Sequence, residues 1–467
     1  MTTTDLNITK ADMTKAIREG VALERSPGGG DAIRLVSSLP ALVGAWRHVG
    51  GGAVEMPIWE FPFNFDFIQR PDWIKPGTRT VNELDLGAAL TGELGLDPPL
   101  MSLFIHNSNP VSQQQNANKL IQGLKREDLF TVVSELFLTD TARYADIILP
   151  ATLQAEQYDL AVTWGHLYVM LNQPAISPPG ECVANIEMFR RLAKTMGFDD
   201  DYWKMSDDEL LMKMYDWNAP ALQGITLQKL KEVGWMRLNV GAPGERAPHA
   251  EGNFKTPSGK CEFKASAAVN GNFIVPVWRN GYNEMQPGDP VDPVPNYIPP
   301  VEVSGTAALA KRYPISLISP KPHAFLNSQY ANEAVQQRRQ GEQTVVVHPN
   351  DAAARKIKNG DFIRVFNDRG SFEGKVELST DVQEGLAVAE RVSGRNGDMQ
   401  AWHLVGRIGN HSTTAWTGRV TNKGGVTGLD VDAWVREEET GREAPLVCAG
   451  MSTVCTVRWD GGRRRQG

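Results

Sequence analysis

Short apolar runs alternate with amphipathic stretches between residues 98 and 200. Uninterrupted apolar runs are typical of strands buried on both faces, and they lie at residues 103–105, 130–133 and 146–149. Residues 117–124, between the first two runs, have the spacing of an amphipathic helix. The alternation predicts an α/β domain with a parallel sheet, to which we assign residues 98–300.

Two more helices are predicted by apolar residues that recur every three or four positions. One lies between glycine turns at residues 28–30 and 50–52, with apolar positions at Ile33, Val36, Leu39, Leu42 and Val43. The other follows Asn185, which we expect to cap it, and ends at Gly197. Its predicted apolar face consists of Ile186, Phe189, Leu192, Ala193 and Met196.

Beyond Arg312 the chain changes to short apolar runs separated by turn residues. These runs lie at residues 315–318, 344–347, 362–366, 372–378 and 386–388. Such spacing is typical of all-β structure and predicts a β-barrel over residues 301–390. Residues 391–467 are rich in Arg, Gly and Trp and have no regular apolar spacing, so they form an atypical tail without a predicted fold. An altered reading frame is our hypothesis for this tail.

A chain of 467 residues exceeds one ordinary hydrophobic core, so we expect two or three domains. The formal net charge of -7 gives no basic field for a nucleic-acid backbone. There is neither a run long enough to span a bilayer nor an apolar signal core, which predicts a cytoplasmic location for the chain as written. The four scattered cysteines form no C-x-x-C pair and disfavour a disulfide framework or a metal cluster.

Candidate binding residues follow the predicted strands, because open parallel sheets bind ligands beyond the carboxyl ends of their strands. After the first strand, a polar turn suits a phosphate or a purine edge, although the same residue types form ordinary turns; it consists of Asn107, Ser108, Asn109 and Pro110. After the second strand come Glu135 and then Thr139, Asp140 and Thr141. A carboxylate there can accept hydrogen bonds from guanine, and hydroxyls can hold its ribose or phosphates. Alternatively, Thr139 or Asp140 caps a short helix through Tyr144.

Two other clusters carry polar side chains. Glu156 and His166 could form an acid/base pair or bind a metal, which would indicate a hydrolase, but local structural roles are the competing interpretation. Near the start of the predicted barrel, the side chains suit a polyhydroxylated or pterin-like ligand, with a hydrated loop as the alternative; they are Ser319, Lys321, His323, Asn327 and Ser328.

Longer strings support a specific family resemblance. The string IHNSNPVSQQQNANKLIQGLKREDLFTVVSELFLTDTARYADIILPAT closely resembles the third domain of molybdopterin oxidoreductases of the dimethyl-sulfoxide-reductase type. In the family's order follow WGHLYVMLNQPAISPPGECVANIEMFRRLAKTMGF, TPSGKCEF, SPKPHAFLNSQYAN and VVVHPNDAAARKIKNGDFIRVFNDRG. The resemblance spans roughly residues 18 to 390.

The resemblance implies that the chain binds bis-molybdopterin guanine dinucleotide carrying molybdenum or tungsten, and that its β-barrel is a double-psi barrel beside the pterins. By this resemblance, guanosine is bound by Glu135 and Thr139 together with the turn 107–110. The pterins are bound by His323, Asn327 and Ser328. A further loop on the cofactor side contains Glu24, Arg25 and Gly29. The implied chemistry is two-electron redox or oxygen-atom transfer.

Compared with the family, the chain resembles a carboxy-terminal portion. Residues 1–97 then correspond to the remainder of a preceding α/β cofactor domain and a crossing loop. The segment that supplies iron–sulfur cysteines and the molybdenum ligand is missing, so we expect little activity from the isolated chain. An iron–sulfur electron-transfer subunit is a candidate partner, and a full-length parent could be periplasmic. The alternative is a noncatalytic guanine-nucleotide or pterin-binding module completed by a partner.

Overall fold

The computed structural model of the chain describes residues 16–18, 29–54, 57–79, 81, 85–114, 116–269, 291–297, 308–320, 322–326, 328–368, 370–389 and 455–456. The strands in these ranges are β1 (Ala16–Arg18), β2 (Gly52–Val54), β3 (Ser102–His106), β4 (Phe130–Glu135), β5 (Ile147–Pro150), β6 (Asp159–Ala161), β7 (Tyr168–Asn172), β8 (Trp235–Arg237), β9 (Ser316–Ile318), β10 (Thr344–Val347), β11 (Phe362–Asn367), β12 (Gly370–Leu378), β13 (Leu386–Val388) and β14 (Cys455–Thr456).

The α-helices in the same ranges are α1 (Gly29–Leu42), α2 (Phe65–Gln69), α3 (Leu86–Leu90), α4 (Pro110–Gln113), α5 (Ala117–Leu124), α6 (Asn185–Met196), α7 (Asp201–Lys204), α8 (Asp207–Met214), α9 (Leu227–Val233), α10 (Ser266–Val269), α11 (Ala308–Arg312), α12 (Ala334–Gln340) and α13 (Pro349–Ala354). Short 3-10 helices lie at Ala45–Arg47, Pro57–Glu60, Pro71–Trp73, Ala142–Tyr144, Gln154–Glu156 and Pro220–Leu222. None of the helices in the described ranges has the length and apolar content needed to cross a bilayer.

The first unit is a β-α-β arrangement in which α1 connects the parallel strands β1 and β2. The helix predicted between the two glycine turns is present, but its predicted apolar positions Leu39, Leu42 and Val43 are exposed, and Val43 lies beyond its last residue. Arg34 on α1 donates hydrogen bonds to the carboxylate of Asp31 and to the backbone oxygens of Asp292 and Pro293. These bonds attach the proline-rich segment 291–297 to α1.

The second unit contains the predicted parallel sheet, with β4 between β3 and β5. α5 occupies the predicted residues 117–124, and its buried side chains share one hydrophobic core with α3. β14 pairs antiparallel with the outer edge of β5. Because β3, β4 and β5 run in the same direction, their carboxyl ends at His106, Glu135 and Pro150 lie along one edge of the sheet. This edge carries the candidate binding loops.

A smaller antiparallel sheet follows, in the order β6, β7, β8. Leu160 and Val169 of this sheet pack against Leu211 of α8 and Leu230 of α9. The sheet and its two helices therefore have a hydrophobic core of their own.

The predicted capping of α6 was wrong at its start and right at its end. Asn185 is the first helical residue, and extended Ala184 takes the capping position without a side-chain hydrogen bond. A capping side chain belongs to the residue just before the first helical residue, and Asn185 is one residue past that position. Gly197 ends the helix with a φ of 78°, a left-handed conformation that glycine adopts without strain.

The predicted apolar face of α6 is only partly buried. Ala193 is buried, whereas Leu192 and Met196 are exposed, and Met188 is buried instead. Phe189 packs with its ring 5.9 Å from that of Phe104 on β3, so the helix meets the sheet through the middle of its length. The apolar periodicity therefore predicted the helix correctly, but it did not predict which side of the helix packs against the protein.

The third unit is a mixed sheet in the order β11, β12, β10, β13, β9. β10 pairs in parallel with β12 and antiparallel with β13, and β13 pairs in parallel with β9. All five predicted strands are confirmed, while closure into a double-psi barrel stays a prediction. The core of this sheet includes Val345, Phe372 and Ala387, and Ala117 at the start of α5 packs into it. The parallel-sheet unit and the mixed sheet are therefore in direct contact.

Gly374 on β12 provides a test of this core. A Cβ at this position would lie 2.7 Å from Cγ2 of Val345 and 3.2 Å from Cγ of Gln343. We expect Gly374→Ala to lower the free energy of unfolding by about 1–3 kcal/mol, measured by urea unfolding, because the core must shift to accept the methyl group. The control is Gly165→Ala, where a Cβ meets no atom within 4 Å, and we expect a change below about 0.5 kcal/mol. Equal effects of the two substitutions would contradict the packing.

Candidate functional site

The loop after β3 is fixed by its backbone conformation and by a buried hydroxyl. Asn107 has a φ of 53°, in the left-handed region that asparagine tolerates better than most residues. Asn109 is buried, and its Oδ1 accepts a hydrogen bond from Oγ1 of Thr141 at 2.6 Å. Oγ1 of Thr141 in turn accepts a hydrogen bond from the backbone N–H of Val111 at 3.0 Å. The polar turn through Ser108 to Pro110 is thus held against the turn that follows β4.

Glu135 is the last residue of β4 and its side chain is partly buried. Oε1 accepts a hydrogen bond from the backbone N–H of Leu136 at 2.8 Å. Burial raises the pKa of this carboxyl above its ordinary value, and the backbone N–H groups of Leu136 and Phe137 oppose the increase. An acceptor with a raised pKa at a strand end is a feature more typical of a binding site than of a simple surface turn.

The turn after β4 combines local capping with contacts to the neighbouring loop. Oγ1 of Thr139 accepts a hydrogen bond from the backbone N–H of Ala142 at 3.3 Å. This is a local structural role of the kind that the sequence left open, although Thr141, and neither Thr139 nor Asp140, occupies the capping position of the short helix Ala142–Tyr144. Asp140 accepts a hydrogen bond from Oγ of Ser112 at 3.2 Å. Its other carboxylate oxygen lies 4.0 Å from Nε of Arg143. Both loops therefore touch through Asp140 as well as through Thr141.

Two buried nitrogen atoms close to these loops have no hydrogen-bond partner among the described residues. They are Nε2 of His106, directly before the loop after β3, and Nε of Arg143, in the turn after β4. The ring of His106 packs edge-on against Phe189 at 5.2 Å. Buried polar atoms normally have partners, so these two atoms near one sheet edge have hydrogen-bonding capacity that the described residues do not satisfy.

The loop after β9 meets the same region from the mixed sheet. Ser319 is buried and His323 is exposed. Oγ of Ser328 accepts a hydrogen bond from Nε2 of Gln113 at 2.5 Å. Since Gln113 lies on α4, which starts at Pro110, the two predicted binding loops adjoin through this bond.

The remaining predicted contacts are those of the cofactor-side loop and two residues near the start of the mixed sheet. Lys321, Asn327, Glu24 and Arg25 lie outside the described residues. Gly29 is buried as the first residue of α1.

Glu156 and His166 make local contacts, in agreement with their structural interpretation. Oε2 of Glu156 accepts a hydrogen bond from the backbone N–H of Leu153 at 2.8 Å, and Nδ1 of His166 accepts one from the backbone N–H of Tyr168 at 3.2 Å. Within the described ranges, no group of three or more His, Cys, Asp or Glu side chains is placed to hold a metal ion.

Sequence reasoning named Thr141 as a hydroxyl for ribose or phosphate rather than as a bridge between the loops, and it missed Gln113, His106 and Arg143. Each lies within four residues of a predicted contact, which was the available signal. Chain spacing could not distinguish Thr141, which bridges the loops, from Thr139, which makes a local hydrogen bond to the backbone of Ala142.

Comparison with known proteins gives two matching family models. "Molybdopterin oxidoreductase" matches residues 6–195, and "Molydopterin dinucleotide binding domain" matches residues 315–423, which extends past the predicted boundary at residue 390. A probable oxidoreductase of Bacillus subtilis, YoaE, is 35% identical over 80% of this chain and 50% of its own length. Dimethyl sulfoxide reductase DmsA of Escherichia coli is 27% identical over 79% of this chain and 47% of its own length.

Among solved structures, acetylene hydratase from Pelobacter acetylenicus shares the fold, with a TM-score of 0.51 and 20% identity over 72% of this chain and 42% of its own. The chain belongs to the molybdopterin oxidoreductase family, of the dimethyl-sulfoxide-reductase type. Its family is therefore one of oxidoreductases that use a molybdopterin cofactor. The chain spans about half the length of the curated relatives it matches.

The Gln113–Ser328 hydrogen bond can be tested with a double-mutant cycle. We expect Gln113→Leu and Ser328→Ala each to lower the free energy of unfolding, and the two effects to be non-additive by about 0.5–1.5 kcal/mol, because either substitution alone already removes the bond. Urea unfolding of the four variants measures this coupling. Additive effects would show that the two side chains do not interact in solution.

Proposed function

We propose that the loops at the carboxyl edge of the parallel sheet bind the guanosine end of a molybdopterin guanine dinucleotide. The proposal is carried by the position of Glu135. Its carboxyl lies at the end of the central strand, and burial raises the pKa of this carboxyl. The residues of the proposed site are Asn107, Ser108, Asn109, Pro110, Glu135, Thr139 and Asp140. The proposed pterin-side residues are Ser319, Lys321, His323, Asn327 and Ser328, with Glu24, Arg25 and Gly29 on a further loop.

Guanine suits Glu135 better than other bases do. Its N1 and N2 atoms are adjacent donors, so one carboxylate can accept two parallel hydrogen bonds from it. Adenine presents a donor beside an acceptor, and a carboxylate facing it would meet a lone pair. In a partly buried site that mismatch is costly, because the unpaired groups cannot be satisfied by water.

The surrounding side chains fit the rest of such a nucleotide. His106 and Arg143 each have a buried nitrogen atom without a hydrogen-bond partner among the described residues, and these two atoms are candidates for hydrogen bonds to the nucleotide. The guanidinium of Arg143 also carries positive charge, which the carboxylate of Asp140 at 4.0 Å partly offsets. The amides and hydroxyl of the turn 107–110 add neutral partners for ribose or phosphate oxygens.

The reaction class that we propose is two-electron redox chemistry, which the bound molybdenum cofactor supplies. Several relatives are reductases of oxides, including dimethyl sulfoxide reductase, trimethylamine-N-oxide reductase and biotin sulfoxide reductase. Such a reduction consumes two electrons and two protons and releases the reduced compound and water. Because these electrons need a donor, we propose an iron–sulfur electron-transfer subunit or domain as a partner. We also propose that turnover requires the part of the relatives' length that this sequence does not span.

The nucleotide proposal predicts discrimination between bases. We expect the full chain to bind GDP more tightly than ADP, and Glu135→Gln to weaken GDP binding by about 10- to 100-fold, because one of two parallel hydrogen bonds is lost. Isothermal titration calorimetry with both nucleotides measures this. The matched control is Glu377→Gln, an exposed strand glutamate in the mixed sheet, which should leave the Kd unchanged. Equal Kd values for GDP and ADP would contradict the proposed role of Glu135.

The raised pKa of Glu135 also predicts a pH dependence of stability. The folded chain binds the proton of this carboxyl up to a higher pH than the unfolded chain, so its contribution to the free energy of unfolding falls as pH rises above the ordinary value of 4.5. Glu135→Gln should therefore be more stable than the wild type at about pH 8, and this gain should disappear at about pH 4. Urea unfolding at the two pH values checks this. A gain of equal size at both would show that the carboxyl is not desolvated.

A further inference from the structure

The hydroxyl of Thr141 lies between the two loops that the proposed function assigns to the nucleotide. The side chain is fully buried, donates a hydrogen bond to Oδ1 of Asn109 at 2.6 Å and accepts one from the N–H of Val111 at 3.0 Å. One oxygen atom therefore connects the turn after β4 to both sides of Pro110. No other residue type of this size supplies a donor, an acceptor and a methyl group together.

We propose that Thr141 is a positioning residue that holds the loop after β3 and the turn after β4 at the spacing a guanine nucleotide requires. The inference rests on the proposed function and adds to it a residue that makes no contact with the nucleotide itself. Its role is to keep Asn107 to Pro110 and Glu135 to Asp140 aligned before the nucleotide arrives, which lowers the entropy lost on binding.

The second connection between the loops cannot replace Thr141. Ser112 and Asp140 are joined at 3.2 Å by a hydrogen bond that is only partly buried. Water can compete for that bond, whereas the Thr141 hydrogen bonds lie where water has no access and are electrostatically stronger. Loss of the Thr141 hydroxyl would also leave Oδ1 of buried Asn109 without this donor.

The test compares GDP binding by the full chain and by Thr141→Val, which keeps the shape of the side chain and removes its hydroxyl. We expect the Kd for GDP to rise at least about tenfold in Thr141→Val and to stay within about threefold of wild type in Thr141→Ser, which retains the hydroxyl. Titrations are made well below the unfolding temperature of each variant, so that reduced stability alone does not change the Kd.

Two further variants separate positioning from general stability. Thr131→Val removes a hydroxyl from another fully buried threonine, within β4 rather than between the loops, and should leave the Kd unchanged. Thr141→Ala is the second hydroxyl-free variant if Thr141→Val does not fold, and it should match the predicted loss.

Each outcome decides between the two proposals. A wild-type chain that does not bind GDP overturns the proposed function and this inference with it. A wild-type chain that binds GDP, together with hydroxyl-free variants that bind it equally well, overturns the inference alone. Equal weakening in Thr141→Ser and Thr141→Val also overturns it, because the hydroxyl would then be irrelevant.

Discussion

Parallel pairing of β3 with β4 determines where every group of the candidate guanosine site lies. The register places His106 opposite Ser134, so the two strands end within one residue of each other at the same edge of the sheet. Only this arrangement brings the loop after β3 close enough to the following turn for Thr141 to reach Asn109. The position of the site therefore depends first on the direction and register of the strands, and only then on individual side chains.

The carboxyl edge of the parallel sheet carries groups that lower the stability of the fold and are available to bind a ligand. A partly buried carboxyl at Glu135 and buried nitrogen atoms on His106 and Arg143 that have no hydrogen-bond partner in the described ranges are unfavourable for stability. The fold tolerates them because the adjoining cores are well packed, and because Ala117 and the Gln113–Ser328 bond join this edge to the mixed sheet. Such a trade of stability for function is common at binding sites.

Periodicity and turn residues predicted most of the architecture. Residues 103–105 and 130–133 lie in parallel strands, and the third parallel strand begins at Ile147, one residue after the predicted start. The five runs beyond Arg312 correspond to the five strands of one mixed sheet. These predictions succeeded because an apolar run long enough to be buried has few other ways to satisfy its backbone. The capping prediction for Asn185 was wrong because a shift of one residue changes the end of a helix without changing its apolar period.

The candidate site was predictable in outline only. Strand ends identify the loops, and the family resemblance identified Glu135 and Thr139, whose roles at a cofactor stay predictions. Thr141 was a candidate for binding ribose or phosphate, but its contact with Asn109 and the contact of Gln113 with Ser328 were not predictable, because the partners lie 32 and 215 residues away along the chain. Whether the mixed sheet closes as a double-psi barrel also depends on contacts between distant segments, which local patterns do not encode.

The most direct test of the central proposal is to identify the nucleotide that the chain retains. The full chain is purified from a host that makes the molybdenum cofactor, and the small molecules released on denaturation are analysed by mass spectrometry together with the molybdenum content. We predict molybdopterin guanine dinucleotide, with less of it retained by Glu135→Gln and an unchanged amount by Glu377→Gln. Retention of no pterin nucleotide, or of one with a base other than guanine, would contradict the proposal.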